Sequence, residues 1–199
     1  VPRLIKCACS QGQIMKARSK VVPAAAGDVL ELGCGGGINM EFYDWNRVTR
    51  FTGLDPSPEL LAMSRAAAQA RGIAATIEGG VGEAMPFDSG RFDTVVTTFT
   101  LCSVHDQAAV LAEIRRVLKP GGTALFLEHG RAPDAGVARW QRRIEPVWKR
   151  IGGNCHLTRP IADAYAGAGF AVERQAAHYM PKTPRPLGWV EYGTARAPA

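Results

Sequence analysis

Glu31-Leu32-Gly33-Cys34-Gly35-Gly36-Gly37 and Asp55 are the residues whose types and spacing best suit chemistry in this chain. Glycines at 33, 35 and 37 let the backbone pass close to a bound nucleoside without Cβ clashes. Asp55 ends the next strand-like run, where a carboxylate accepts hydrogen bonds from both ribose hydroxyls. The loop does not keep the G-x-G-x-x-G spacing of a dinucleotide site. Counting from Gly33 puts Ile38 at the third glycine position, and counting from Gly35 puts Met40 there. A pyrophosphate clamp is therefore disfavoured, while a nucleoside without pyrophosphate is not.

Such a loop needs a parallel sheet to hold it. Residues 28–33 read as a buried strand running into the glycines, and 48–54 as the second strand. Ser57-Pro58-Glu59 opens a helix, with Ser as cap, Pro in the first turn and Glu at the positive end of the dipole. That helix stops at Gly72. Residues 73–78 make a short third strand, and Phe92 to Thr98 a β-branched fourth. Val110, Leu111, Ile114, Val117 and Leu118 recur at helical spacing behind Asp106, which reads as a cap. Lys119-Pro120-Gly121-Gly122 ends that helix, and Thr123 to Glu128 is a fifth strand. The glycine loop is expected to lead into a helix, as βαβ units require. Helical stretches follow at about 137–151, where Pro146 is expected to kink or split the helix, and at about 158–168. Two strand-like runs finish near Arg196. One domain, 1–199, is expected, with a cofactor-binding core at 28–128 and a lid or acceptor segment at 129–170.

Composition narrows the partners. The chain is 46% hydrophobic and 21% charged, as globular proteins are. Lys and Arg total 24 against 18 Asp and Glu, a balance that suits an anionic ligand or surface. There is no long basic run and no zinc-finger or RNP-like signature, so nucleic acid is not an expected partner. The cysteines at 7, 9, 34, 102 and 155 are odd in number and scattered, against a disulfide framework. Cys7 and Cys9 lack a nearby second ligand pair, so no metal is expected and each Cys reads as a small buried hydrophobe. No run is apolar enough to span a bilayer and no secretory segment stands near the start, so the expectation is cytoplasmic.

Five motifs in order resemble class I S-adenosylmethionine-dependent methyltransferases. They are Glu31 to Gly37, Leu54-Asp55-Pro56-Ser57, Glu83-Ala84-Met85-Pro86-Phe87, Phe92-Asp93-Thr94-Val95-Val96, and Arg116-Val117-Leu118-Lys119-Pro120-Gly121-Gly122. The resemblance implies an α/β fold: a single Rossmann-like domain with a seven-stranded, mostly parallel sheet, an antiparallel last strand and helices on both faces. It implies S-adenosyl-L-methionine as cofactor and S-adenosyl-L-homocysteine as product. Gly33, Gly35 and Gly37 would pass under the methionine moiety, Glu31 would hold its amino group, and Asp55 the ribose. Gly82, Glu83 and Ala84 would follow the adenine edge, with Cys34, Pro56, Thr98 and Leu101 completing the contacts. Where many relatives carry an Asp that reads the adenine amino group, this chain has Val81.

A narrower likeness covers residues 28 to about 160. Leu101-Cys102-Ser103-Val104-His105-Asp106, Glu128-His129-Gly130, Trp140-Gln141, Pro146 and Trp148, and Asn154-Cys155-His156-Leu157-Thr158-Arg159 together are similar to the small-thiol S-methyltransferases of the methyltransferase-like family. Those animal proteins carry a hydrophobic N-terminal anchor, so this chain resembles a soluble bacterial version. The likeness implies S-methylation of a thiol or sulfide. His129, at a strand end, is the first candidate base for the thiol and His156 the second; either could instead be a hydrogen-bonded structural histidine. Cys102 reads as a wall residue. The alternative acceptor is a lipid, through phosphatidylethanolamine N-methylation or quinone C-methylation. The basic, Trp-bearing stretch 140–151 reads either as a lid or as an interfacial element with weak peripheral contact to anionic lipid.

Overall fold

The computed structural model describes residues 12–199, so Cys7 and Cys9 lie outside the described residues. Its centre is a seven-stranded sheet in the order β3-β2-β1-β4-β5-β7-β6. The strands are β1 Gly27–Leu32, β2 Val48–Asp55, β3 Ala75–Gly79, β4 Phe92–Thr98, β5 Leu118–His129, β6 Ala171–Tyr179 and β7 Trp189–Arg196. β7 runs antiparallel to both its neighbours, and the pairs among β1 to β5 are parallel. This is the α/β arrangement that the motifs imply.

Parity along the central strands decides which side chains meet the site. Leu30, Leu32, Val95 and Phe126 face one core with Ile114, Ile161 and Tyr165. Val29, Val96, Leu125 and Leu127 face the other with Val21, Met40 and Tyr43. A strand covered on both faces must be apolar throughout, which explains the unbroken hydrophobicity of Val29-Leu30 and Val95-Val96. Glu31 shares the parity of Val29, so its carboxylate points to the second core.

The helices are α1 Gly12–Val21, α2 Pro58–Ala70, α3 Gln107–Val117, α4 Ala135–Ile151, α5 Ile161–Gly167 and the single turn α6 Arg185–Gly188. Ser57 caps α2 by accepting from the Leu60 N–H at 3.4 Å, and Gly72 follows it in the left-handed region at φ 65°. Asp106 Oδ1 accepts from the Ala108 and Ala109 N–H groups at 2.9 and 3.0 Å, so Asp106 is a cap.

Three local expectations are corrected. No α-helix follows the glycine loop; Ile38–Glu41 is a single 3-10 turn. Tyr43, Trp45 and Phe51 then pack in a tilted and edge-on aromatic cluster with centroids 5.2–5.7 Å apart. Pro146 does not split α4, which runs continuously past it. Pro146 is on the exposed side, where the carbonyl it leaves unpaired meets solvent. β5 starts at Leu118, before the glycine pair rather than after it. Its register against β4 jumps between Phe92–Leu118 and Thr94–Thr123, so residues 119–122 bulge out with Gly121 at φ 70°.

Candidate active site

The carboxyl ends of β1, β2 and β4 open onto a cavity of about 430 Å³, where ligands of open α/β sheets collect. Gly33 turns the chain out of β1 at φ 71°, and a Cβ there would come within 2.3 Å of Thr100 Oγ1. Only glycine lets the two loops meet. Gly35 then donates its N–H to Asp55 Oδ2 at 3.0 Å, and Ser57 donates to Oδ1 at 2.9 Å. Each Asp55 oxygen keeps acceptor capacity for one more donor. Burial raises the Asp55 carboxyl above its usual value, against the pull of those two N–H groups.

A second polar cluster closes the cavity under β1. Glu31 Oε1 accepts from Asn39 Nδ2 and Oε2 from the Tyr43 hydroxyl, both at 2.9 Å. Arg18, reaching in from α1, donates to Asn39 Oδ1 at 2.6 Å and to Thr98 Oγ1 at 2.7 Å. Burial pushes the Glu31 carboxyl up to about 7, only partly offset by Tyr43, Arg18 and Asn39. A cationic ligand group arriving here would complete the ionised form. Burial also drives the Cys34 thiol far up, helped by Glu31 and Asp55, so Cys34 is a neutral wall residue.

Of the residues expected to touch a cofactor, Glu31, Gly33, Cys34, Gly35, Asp55, Pro56, Gly82, Glu83 and Thr98 line the cavity. Gly37, Ala84 and Leu101 stand behind it. Gly37 sits at φ 76°, where a Cβ would press on Ala67 and Met40; Leu101 is fully buried in the first core. Glu83 Oε1 accepts from the His105 and Asp106 N–H groups at 2.9 and 3.2 Å, fixing the start of α3 against the rim.

The wall also contains Arg18, Asn39, Phe99, Ser103, Gly152 and Gly153. Arg18 comes from a helix far away in sequence, and the only sequence signal for it is a lone arginine on the apolar face of α1 beside Ala17 and Val21. Phe99 has φ 56°, a strained backbone for an aromatic residue and a frequent mark of a functional site. Its loop is held from two sides. Glu128 accepts from the Thr100 and Cys102 N–H groups at 3.2 and 3.3 Å, and Arg159 donates to the Leu101 and Val104 carbonyls.

Neither candidate base lines this cavity. The His129 ring packs on Phe99 with centroids 4.9 Å apart, and its Nδ1 lies 3.6 Å from Cys155 Sγ. His156 Nδ1 pairs with Glu145 Oε1 at 3.4 Å. Burial, followed by the Arg159 charge, lowers the His156 pKa despite Glu145.

Comparison with known proteins shows the family. The Methyltransferase domain family matches residues 30–126. The chain is 40% identical to thiol S-methyltransferase TMT1B of Homo sapiens, over 87% of this chain and 71% of that protein. The chain belongs to the S-adenosylmethionine-dependent methyltransferases. It is also 35% identical to human thiol S-methyltransferase TMT1A, over 75% of this chain and 62% of that protein. An S-adenosylmethionine-dependent methyltransferase from Mesorhizobium loti superposes with a TM-score of 0.71 over 94% of this chain and 98% of its own, at 22% identity. At that identity the likeness is one of fold. S-Adenosylmethionine is the cofactor of this methyltransferase, and the cavity's two acidic pockets fit its cationic and ribose groups. No helix among the described residues is long and apolar enough to cross a membrane.

Proposed function

We propose that this methyltransferase transfers the methyl group of S-adenosylmethionine to the sulfur of a small thiol or sulfide. The observation that carries the reading is the division of the cavity wall. In this reading Glu31 and Arg18 would take the ammonium and carboxylate of the methionine end, Asp55 the ribose, and the Gly82-Glu83 rim the adenine. Around Phe99 the rest of that wall is Thr100, Ser103, Val104, His105, Gly152 and Gly153, with no carboxylate, lysine or arginine to recognise an ionic acceptor. Identity to two proteins named thiol S-methyltransferases supports the same acceptor class.

The cofactor supplies an activated methyl on a sulfonium, so the chain's own task is to align the acceptor and exclude water. A thiolate aligned there would take that methyl from the sulfonium, leaving S-adenosylhomocysteine, and the thiol proton would go to solvent. A free thiol titrates near pH 8.5, so part of it is already thiolate at neutral pH. The His129 and His156 positions do not require either ring to touch the acceptor. A labelled methyl-transfer panel of alkyl thiols, hydrosulfide, phosphatidylethanolamine vesicles and a demethylated quinone tests the reading. Label in the thiols supports it, and label confined to lipid or quinone refutes it.

A lipid acceptor is the second reading, favoured by α4. Trp140, Val147 and Ile151 are 56%, 63% and 67% exposed and fall on one helical face. Arg139, Arg143 and Arg150 flank that face, with Arg143 stacked over the Trp140 ring at 5.6 Å. An apolar stripe edged by cations suits an anionic membrane surface. Transfer to a soluble thiol that is indifferent to added vesicles favours the first reading; transfer that needs vesicles favours the second.

A further inference from the structure

Behind Phe99 lies a cluster that methyl transfer, as derived above, does not use. Cys102 comes from the loop after β4, His129 from the tip of β5, and Cys155 from the turn beyond α4. Their candidate donor atoms all lie within 4.8 Å of one another. Cys102 and Cys155 are buried and His129 partly so. We propose that Cys102, His129 and Cys155 form a binding site for a thiophilic divalent cation, zinc in the first place.

The geometry is already close to what the ion needs. Tetrahedral zinc holds sulfur at about 2.3 Å and nitrogen at about 2.0–2.1 Å, so the sulfur–nitrogen edge of the tetrahedron is about 3.6 Å. The Cys155 Sγ to His129 Nδ1 separation is 3.6 Å. Small side-chain rotations bring the remaining donor into the same tetrahedron. The donor set selects the metal: two sulfurs and an imidazole suit zinc, whereas magnesium and calcium need oxygen ligands. Charge balances too. Binding releases one proton from each thiol, and two thiolates neutralise the dication, so the buried site carries no net charge.

The surroundings match a site with one exchangeable position. Three protein donors leave the fourth corner of the tetrahedron for water or another small ligand. Trp148 packs against the Cys102-Cys155-Leu157 cluster, and its buried indole N–H has no partner among the described residues. The supporting backbone is also held: His156 donates its N–H to the Cys102 carbonyl at 2.7 Å, and Asn154 Nδ2 donates to the Ser103 carbonyl at 2.8 Å. The ion would therefore fasten the Gly152-Gly153 wall of the cavity to the tips of β4 and β5. The site does not depend on the acceptor being a thiol, so its test is separate from that of the proposed function.

The test is metal content and cobalt spectroscopy on the full chain. Protein purified without chelator from zinc-supplemented medium should hold about one zinc per chain by mass spectrometry. Replacement by Co²⁺ should give the visible bands of a tetrahedral ion and a sulfur-to-cobalt charge-transfer band. Cys102→Ser, Cys155→Ser and His129→Gln should each lower the zinc content at least tenfold, while S-adenosylhomocysteine binding by calorimetry shows that the variants are folded. A Cys7→Ser, Cys9→Ser double variant should keep its zinc. The proposal is overturned if the wild-type chain holds less than a tenth of an equivalent. Zinc that survives the Cys102 and Cys155 substitutions, or disappears with Cys7 and Cys9, overturns it as well. So does a Cys102–Cys155 disulfide found by alkylation and mass spectrometry in freshly purified protein.

Discussion

Replacing Asp55 by Ala should separate the cofactor site from the fold that carries it. Each carboxylate oxygen accepts one backbone N–H, from Gly35 at 3.0 Å and from Ser57 at 2.9 Å. That leaves one acceptor site on each oxygen for the two ribose hydroxyls. A hydrogen bond to a charged group contributes about 1.5–3 kcal/mol, so two of them give at least about 3 kcal/mol. The variant should therefore bind S-adenosylhomocysteine about 100-fold more weakly or worse. Stability should fall as well, by about 1–3 kcal/mol, because the Gly35 and Ser57 N–H groups lose their acceptor. Asp55→Asn is the paired control: it keeps the shape but turns a donor toward one of those N–H groups, and should weaken binding by about tenfold or more. Titration calorimetry reads the affinity, and circular dichroism shows whether the chain is folded. A folded Asp55→Ala chain that binds within threefold of wild type would refute the assignment of Asp55 to the ribose.

Other expectations follow from the same wall. Glu31 titrates near 7 in the cofactor-free chain because burial favours its neutral form. An ammonium ligand needs it ionised, so affinity should rise about tenfold from pH 6 to pH 8, with proton release at pH 6, and Glu31→Gln should abolish both effects. The same raised pKa means that the folded chain binds more protons than the unfolded one between the two values. Glu31's contribution to stability should therefore decline as pH rises from about 4.5 to 7, which chemical denaturation of wild type and Glu31→Gln would show. Arg18→Met should raise the KM for S-adenosylmethionine about tenfold or more through loss of a charged hydrogen bond, with kcat much less affected. If α4 docks on membranes, the chain should co-sediment with anionic vesicles at low salt, and Trp140→Glu with Ile151→Glu should abolish this; sedimentation that ignores both salt and substitution would contradict the assignment of that face.

How much of this could be read from the sequence depends on whether the signal is local. Ser57, Asp106 and Gly72 mark helix ends because their caps and turn are made within a few residues. The glycine loop and Asp55 are legible because strand order and parity bring consecutive strand tips together. The 3-10 turn after Gly37 is not legible, since the residues that follow it pack into an aromatic cluster that reaches across to Phe51. Pro146 misled for a related reason: its effect on a helix depends on which side meets water, and that side is set by tertiary packing. Arg18 carries no local signal, because its partners Asn39 and Thr98 lie far along the chain. The strand-tip place of His129 is legible, but nothing in its sequence neighbours shows that Phe99 packs on its ring or that Cys155 comes within reach. Its grouping with Cys102 and Cys155 needs three loops folded together, so scattered cysteines looked like isolated small hydrophobes.

The central claim is the identity of the atom that receives the methyl group, and a bifunctional acceptor tests it most directly. 4-Aminothiophenol carries a thiol and an arylamine that is uncharged at neutral pH in one small molecule, so binding and access are shared. Incubation with S-adenosylmethionine labelled with ¹³C in the methyl group, followed by carbon NMR of the product, distinguishes an S-methyl from an N-methyl carbon. The account predicts label on sulfur alone, in equal amount to the S-adenosylhomocysteine formed, at a rate that climbs with pH as the thiol ionises. Label on nitrogen, or cofactor turnover with no labelled thioether, would contradict it.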